Sequence, residues 1–354
     1  MKIVLAGGGT AGHIEPAMNV ADAILAKYPE AQIVALGTAK GLETDLVPKR
    51  GYPLELIEAT PLPRRVNTDL ISLPHRLSKA ITQCRQVLKG ADVLIGFGGY
   101  VALPAYFAAR GKVPILVHEA NAKPGLANRV GSRFATAIAE TVAGSLAGAV
   151  QTGIPLRKSI ANFDRASLRD QAKDYFQITS SKPTILVFGG SQGAVSINRV
   201  LEQVRQQQLL DNFEVIHSVG AKNEVPSKLA PNYRALNYID RMDFAYAASD
   251  FVICRSGAMT VAEISAVGLP ACYVPFPIGN GEQRLNAAAV VAAGGALCVS
   301  DASFSSEFVR AEILPILSDS SRLADMAQIT ASFGRKGASA QILQIVEQIL
   351  ADAK

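Results

Sequence analysis

KIVLAGGGTAGHIEP, residues 2–16, runs from an apolar strand through a glycine turn into a helical pattern. That is the opening of a Rossmann-like unit. Gly7, Gly9 and Gly12 allow the close backbone approach and positive φ that such a turn needs, and the turn delivers His13 to a helix entrance suited to face a phosphate. The same arrangement returns far downstream, where apolar residues 184–188 end in GGSQGA, residues 189–194, and helical spacing runs over 195–206. Two such units predict an α/β protein made of two Rossmann-like, doubly wound domains facing one cleft.

Outward from these turns, strand-like and helix-like segments alternate. Strands are expected at 2–6, 32–36, 93–96, 115–118 and 136–139, and again at 184–188, 213–218, 234–238, 251–254, 271–274 and 296–299. GIPLR, residues 153–157, marks the join, giving domains of 1–155 and 156–337. Residues 341–350 form an amphipathic helix with no strand after it. The expectation is that this last helix, within about 338–354, crosses back onto the first domain.

The chain has 354 residues, 49% of them hydrophobic and 18% charged, enough for two domains with real cores. Its most apolar stretch, 287–299, is short and broken by Gly294 and Gly295, whereas a membrane span needs about 20 apolar residues. The N-terminus enters the first strand directly and shows no signal peptide, which points to the cytoplasm. Cys84, Cys254, Cys272 and Cys298 are widely spaced with no nearby histidine, so no disulfide framework and no metal site is expected.

The net charge of +5 is unevenly placed. Residues 1–155 hold 16 basic and 11 acidic side chains, residues 156–354 hold 19 of each. Between 61 and 89, Arg64, Arg65, Arg76, Lys79, Arg85 and Lys89 are opposed only by Asp69. From Leu77 onward Ile81, Cys84 and Leu88 recur at helical spacing, the mark of an amphipathic helix on a sheet. Leu70, Ile71 and Leu73 precede it beside arginines and are read as a loop. That loop fits shallow insertion into an anionic membrane surface. Nucleic acid is not indicated, because the patch lacks stacking aromatics.

Three more segments sit at strand ends, where open α/β sheets bind ligands. GFGGY, residues 96–100, is a further glycine turn, and HEAN, 118–121, brings polar groups. In RSGAMTVAE, 255–263, free N–H groups of Ala258, Met259 and Thr260 can hold a phosphate, and Glu263, on the face of Thr260, can accept from ribose hydroxyls or serve only as a helix acid. A nicotinamide dehydrogenase is disfavoured. Gly7, Gly9 and Gly12 satisfy its glycine pattern, but no acidic residue ends the 32–36 strand to meet a ribose, and GGSQGA is left unexplained.

Taken in order, GGGTAGH, GFGGY, HEAN, GIPLR, GGSQGA, GAMTVAE and GNGEQRLNA span about 280 residues, and together they resemble the GT-B glycosyltransferases of family 28 that act in peptidoglycan synthesis. The resemblance implies a cytoplasmic enzyme held peripherally at the bacterial plasma membrane. It implies inverting transfer of N-acetylglucosamine from UDP-N-acetylglucosamine to the C4 hydroxyl of N-acetylmuramic acid in undecaprenyl-diphospho-MurNAc-pentapeptide, lipid I, with lipid II and UDP as products and neither a cofactor nor an obligatory metal. Cell-wall synthesis proteins are the implied partners; a GT-B transferase with another lipid or natural-product acceptor is the alternative.

The resemblance further implies roles for single residues. Ser191 would hold the diphosphate, Ile239 would meet uracil through its backbone, and Ala258, Met259, Thr260, Val261 and Ala262 with Glu263 would bind the phosphate and ribose. Gln283 would contact the sugar and Arg157 the donor phosphates. Thr10, Ala11, Gly12 and Asn121 would complete the acceptor side. Ala11 stands where that family usually has glycine. Displacement at an anomeric carbon needs a base, and His13, with an ordinary pKa near neutrality, is the first candidate. Glu119, a carboxylate at a strand end, is its rival.

Overall fold

In the computed structural model, residues 1–60, 69–190, 192–227, 229–278 and 280–353 are described, the side chains of Asp69, Leu70 and Ile71 excepted. The chain divides into two compact units, Met1–Arg157 with Lys336–Lys354, and Lys158–Arg335.

The first unit holds β1 (Lys2–Gly7), β2 (Gln32–Gly37), β3 (Leu54–Leu56), β4 (Val93–Gly98), β5 (Ile115–Glu119), β6 (Ala137–Glu140) and β7 (Val150–Gln151), in the order β3-β2-β1-β4-β5-β6-β7. Every pairing is parallel. A parallel sheet is covered on both faces, and alternation along β1 shows how. Ile3 and Leu5 face the helices Ala11–Lys27 and Ala338–Asp352, packing with Ile14, Met18, Ile342 and Val346. Val4 and Ala6 face the other way, toward Cys84, Leu88, Ala105 and Tyr106.

The second unit holds β8 (Thr184–Phe188), β9 (Glu214–Ser218), β10 (Tyr233–Leu236), β11 (Phe251–Cys254), β12 (Ala271–Tyr273) and β13 (Ala296–Cys298), again all parallel, in the order β10-β9-β8-β11-β12-β13. Counted from its own first strand this repeats the 3-2-1-4-5-6 order of the first sheet, the doubly wound Rossmann arrangement.

One expectation is corrected. Leu70, Ile71 and Leu73 do not form a loop; one helix runs from Asp69 to Val87 with Pro74 inside it. The cause is legible in the spacing, since Leu73 and Leu77 continue the apolar stripe of Ala80, Cys84 and Leu88 by one more turn, and both are half-buried. Arg64 and Arg65 lie outside the described residues. Among the described residues no helix is long and apolar enough to cross a membrane.

Candidate active site

In the first unit, the turn after β1 is held from behind. Gly9 has φ +87, and a Cβ there would stand 2.6 Å from the Tyr100 ring. Thr10, extended at φ −138, caps the helix Ala11–Lys27 and leaves Thr10 and Gly12 exposed with Ala11 half-buried. The amide of Gly9 does not face an open phosphate cradle, contrary to the expectation for this turn, because it donates to Glu43 Oε2 at 3.1 Å. Glu43 opens the helix Glu43–Lys49 and is fully buried.

His13 is the third residue of its helix, within the first turn. Its Nδ1 lies 3.1 Å from the Gly8 carbonyl oxygen and 3.2 Å from Thr10 Oγ1. A carbonyl oxygen only accepts, so Nδ1 carries the proton, and the lone pair belongs to Nε2. The GFGGY turn makes the room. Gly98 and Gly99 both have positive φ, and added Cβ atoms would stand 3.3 Å from His13 Nε2 and 3.1 Å from Nδ1. Burial pulls the His13 pKa below its ordinary value, opposed by the Gly8 carbonyl and the charges of Glu119 and Glu43. The ring is therefore a neutral imidazole at pH 7, with its basic nitrogen defined.

The rival base is otherwise engaged. Glu119 Oε1 accepts from the Asn121 backbone N–H at 2.9 Å and from Asn121 Nδ2 at 3.3 Å; Oε2 accepts from Gly125 N–H at 3.1 Å and Asn128 Nδ2 at 2.9 Å. Four donors satisfy this buried carboxylate and hold it still. Its four contacts tie the 120–125 loop together. His118 donates from Nε2 to the Gly153 carbonyl at 2.9 Å, and burial lowers its pKa to about 4.

In the second unit, the turn after β8 is packed backbone against backbone. A Cβ at Gly193 would stand 2.0 Å from the Val219 carbonyl oxygen, and one at Gly220 2.3 Å from the Gly193 amide nitrogen. Asn223 Nδ2 bridges the two turns, donating to Val219 O at 2.7 Å and Gln192 O at 3.1 Å. Asn198 Nδ2 donates to the same Val219 carbonyl at 2.9 Å, and its Oδ1 lies 3.0 Å from His217 Nε2. Ser191 lies outside the described residues.

The turn after β11 leads into the helix Ala258–Val267, with Gly257 as an extended cap. The first-turn amides of Ala258, Met259 and Thr260 have no partner within the helix, which is a ready anion site. GNGEQRLNA clamps this turn from the side. Gln283 Oε1 accepts from Ser256 N–H at 3.3 Å and Phe276 N–H at 2.9 Å, and Asn286 Nδ2 donates to the Ser256 carbonyl at 3.3 Å. Gln283 thus has its oxygen committed to the protein. Glu263 is buried and accepts from the Tyr246 hydroxyl at 2.9 Å; Val261 is buried, Ala262 half-buried, and Ile239 buried in the turn after β10. Arg157, half-exposed, ends the first unit's long segment.

Sequence reading passed over Glu43, Asn128, Asn198, Asn223 and Arg255. Arg255 donates to the Val274 and Pro275 carbonyls, to Asp301 and to Ser196 Oγ, fixing the strand end beside the Ala258 helix. Only the placing of Arg255 and Asn198 next to the glycine turns could have signalled them. Among the described residues no group of three or more His, Cys, Asp or Glu side chains is placed to hold a metal ion.

With this geometry, comparison with known proteins is informative. Residues 3–140 match the glycosyltransferase family 28 N-terminal domain, and residues 184–342 match the glycosyltransferase family 28 C-terminal domain. The "UDP-N-acetylglucosamine--N-acetylmuramyl-(pentapeptide) pyrophosphoryl-undecaprenol N-acetylglucosamine transferase" of Rhodococcus erythropolis is 53% identical, covering 99% of this chain and 95% of its own. The protein of the same name from Streptomyces avermitilis is 52% identical over 99% of each chain. Acinetobacter baumannii MurG superposes with a TM-score of 0.78 at 26% identity, covering 98% of this chain and 99% of its own.

Proposed function

The chain belongs to glycosyltransferase family 28, and from that membership we propose that it transfers N-acetylglucosamine from UDP-N-acetylglucosamine to the N-acetylmuramyl sugar of pentapeptide-bearing undecaprenyl diphosphate, a step of peptidoglycan synthesis. The observation that carries the reading is the likeness to transferases of that printed activity at 53% and 52% identity over 99% of the chain. The site is consistent with it in chemical terms.

His13 Nε2 takes the proton of the acceptor C4 hydroxyl as that oxygen attacks the anomeric carbon. With Nδ1–H on the Gly8 carbonyl, the imidazolium that forms stays hydrogen-bonded and in place. Thr10, Ala11, Gly12 and Asn121 bind the acceptor, and Glu119 holds the Asn121 loop in shape. The second unit binds the donor: Ser191 and its glycine turn and the first-turn amides of Ala258 to Thr260 take the diphosphate, Ile239 the uracil, Glu263 the ribose and Gln283 the sugar; Arg157, at the end of the first unit's long segment, is the further diphosphate contact that the family resemblance implies. The leaving UDP carries negative charge, and the helix N-terminus with a guanidinium stabilises it without a metal. The basic helix from Asp69 and the arginines before it bring the first unit to the anionic cytoplasmic membrane face that carries the acceptor, where other cell-wall enzymes are its partners.

The test is incubation with radiolabelled UDP-N-acetylglucosamine and a lipid I analogue in the presence of chelator. Label in the lipid-linked disaccharide is the expected result. Donor binding without transfer would remove this acceptor and leave another GT-B acceptor class.

A further inference from the structure

Glu43 belongs to none of the motifs, yet much of the first unit's active-site turn is built around it. It is fully buried, and among the described residues no cation pairs with it. A buried carboxylate in that position is costly unless donors surround it. Here they do: Oε1 accepts from Thr38 N–H at 2.9 Å and Thr38 Oγ1 at 3.1 Å, and Oε2 from Gly9 N–H at 3.1 Å. Three glycines line the socket: Gly8 in the turn after β1, Gly37 at the end of β2 and Gly41 just before the Glu43 helix. An added Cβ would stand 3.1 Å from Oε1 at Gly8, 2.3 Å from Cγ at Gly37 and 2.2 Å from both oxygens at Gly41. None of the three has a left-handed φ, so the space taken by the neighbouring side chains, and not backbone freedom, demands glycine there.

The key geometry is a single peptide. The Gly9 N–H that donates to Glu43 and the Gly8 carbonyl that accepts from His13 Nδ1 belong to the same planar unit, and it is trans. Its two ends point opposite ways. We propose that Glu43 is a positioning residue for His13, acting through the Gly8–Gly9 peptide: carboxylate, peptide and imidazole form one line of hydrogen bonds that fixes the tautomer and orientation of the base. The proposal rests on the assignment of His13 as base. No proton passes along the line. When Nε2 takes the acceptor proton, Nδ1 keeps its own, Glu43 stays ionised, and the peptide, polarised by the carboxylate, holds the imidazolium. The charged groups facing His13 are Glu43 and Glu119, and both raise its affinity for a proton. Tyr100 closes the socket, its hydroxyl 3.3 Å from Thr38 Oγ1.

Imidazole ¹⁵N NMR of the whole protein, with His13→Gln to assign the signal, reads the tautomer without substrate. Wild-type His13 is expected as the Nδ1–H form; an Nε2–H form sinks the proposal before any variant is made. In Glu43→Gln the amide cannot accept from both sides, so the peptide is released. The expected result is a mixed tautomer, a His13 titration moved to lower pH, and kcat down on the order of tenfold to a hundredfold with KM for the sugar nucleotide unchanged. Gly41→Ala pushes the carboxylate aside while keeping its charge and is expected to mix the tautomer likewise. A folded Glu43→Gln protein with an unmoved tautomer and pH profile overturns the proposal. Absence of transfer by the wild type would count against the proposed activity and not against this positioning role, because the NMR readings need no turnover.

Discussion

The turn after β1 and the turn after β8 occupy the same station, each at the carboxyl end of the strand from which the sheet order reverses, yet a carboxylate braces the first and carboxamides brace the second. Behind the first turn Glu43 places a negative charge and uses the Gly9 N–H. That potential opposes a phosphate at Gly9 and favours a group that must gain a proton, the role proposed for His13. Behind the second turn Asn223 and Asn198 hold backbone carbonyls and add no charge. The neighbouring Ala258 helix has first-turn amides with no acceptor inside the helix, the proposed diphosphate contacts, with Arg255 close by in the same strand end. On the proposed reading, one topology, used twice, serves proton transfer where a buried acid braces it and diphosphate binding where the bracing is neutral. Fold repeats here without repeating chemistry.

The contrast breaks most directly at the two turns' own polar groups. His13→Ala is expected to lower kcat by about 10²- to 10⁴-fold while calorimetric affinity for UDP-N-acetylglucosamine stays within about twofold of wild type. Asn223→Ala is expected to do the reverse, weakening donor binding with kcat at saturation nearly kept. If each variant lost both properties equally, the division of labour between the turns would be wrong.

Backbone packing supplies the next largest effect. Gly193→Ala meets the Val219 carbonyl at 2.0 Å with φ +76, whereas Gly190→Ala, at φ +95, meets nothing within 4 Å. The first should cost several times the roughly 1 to 2 kcal/mol of the second, which is conformational strain alone. Urea unfolding of both variants separates contact from strain.

Acid stability sharpens the comparison, because each unit has a buried, neutral histidine in its sheet. Burial lowers both His118 in β5 and His217 in β9 from 6.5 to about 4. Folded pKa values below the unfolded one mean that stability is fully present above pH 6.5 and is lost as pH falls toward 4. Each site removes about 3 kcal/mol by pH 4. Calorimetry from pH 7 to 4 should show a falling Tm that flattens in part when either histidine is replaced by glutamine. The acid limb of kcat/KM, set by His13, should lie below pH 6.5. The smallest effect is expected at the membrane: serine at Leu70, Ile71 and Leu73 should weaken binding to anionic liposomes severalfold and leave transfer to a short-chain, soluble acceptor analogue unchanged. Unchanged liposome binding would remove insertion by this segment.

Much of this was legible in the chain. Continuous apolar runs gave β8 and β11 to the residue, and the helix Val195–Gln206 followed from its spacing. The strands β3 and β7 were not foreseen, because Leu54–Leu56 and Val150–Gln151 are short, partly exposed edge strands that need no apolar run. The first turns of the Asp69 helix were read as a loop because Pro74 and the arginines outweighed one more repeat of the stripe.

By itself the sequence determined the two glycine turns and His13 at a helix entrance, which depend on patterns within about 15 neighbouring residues, and the doubly wound class and the family, which depend on such local patterns recurring in order along the chain. Only the tertiary structure decided what stands behind each turn. Glu43 lies 34 positions from Gly9, and Asn223 lies 31 from Gln192. Whether a buried carboxylate or an amide stands behind a peptide depends on which strands lie side by side, and it is that neighbour, through its charge and its hydrogen bonds, that sets the chemistry of the turn.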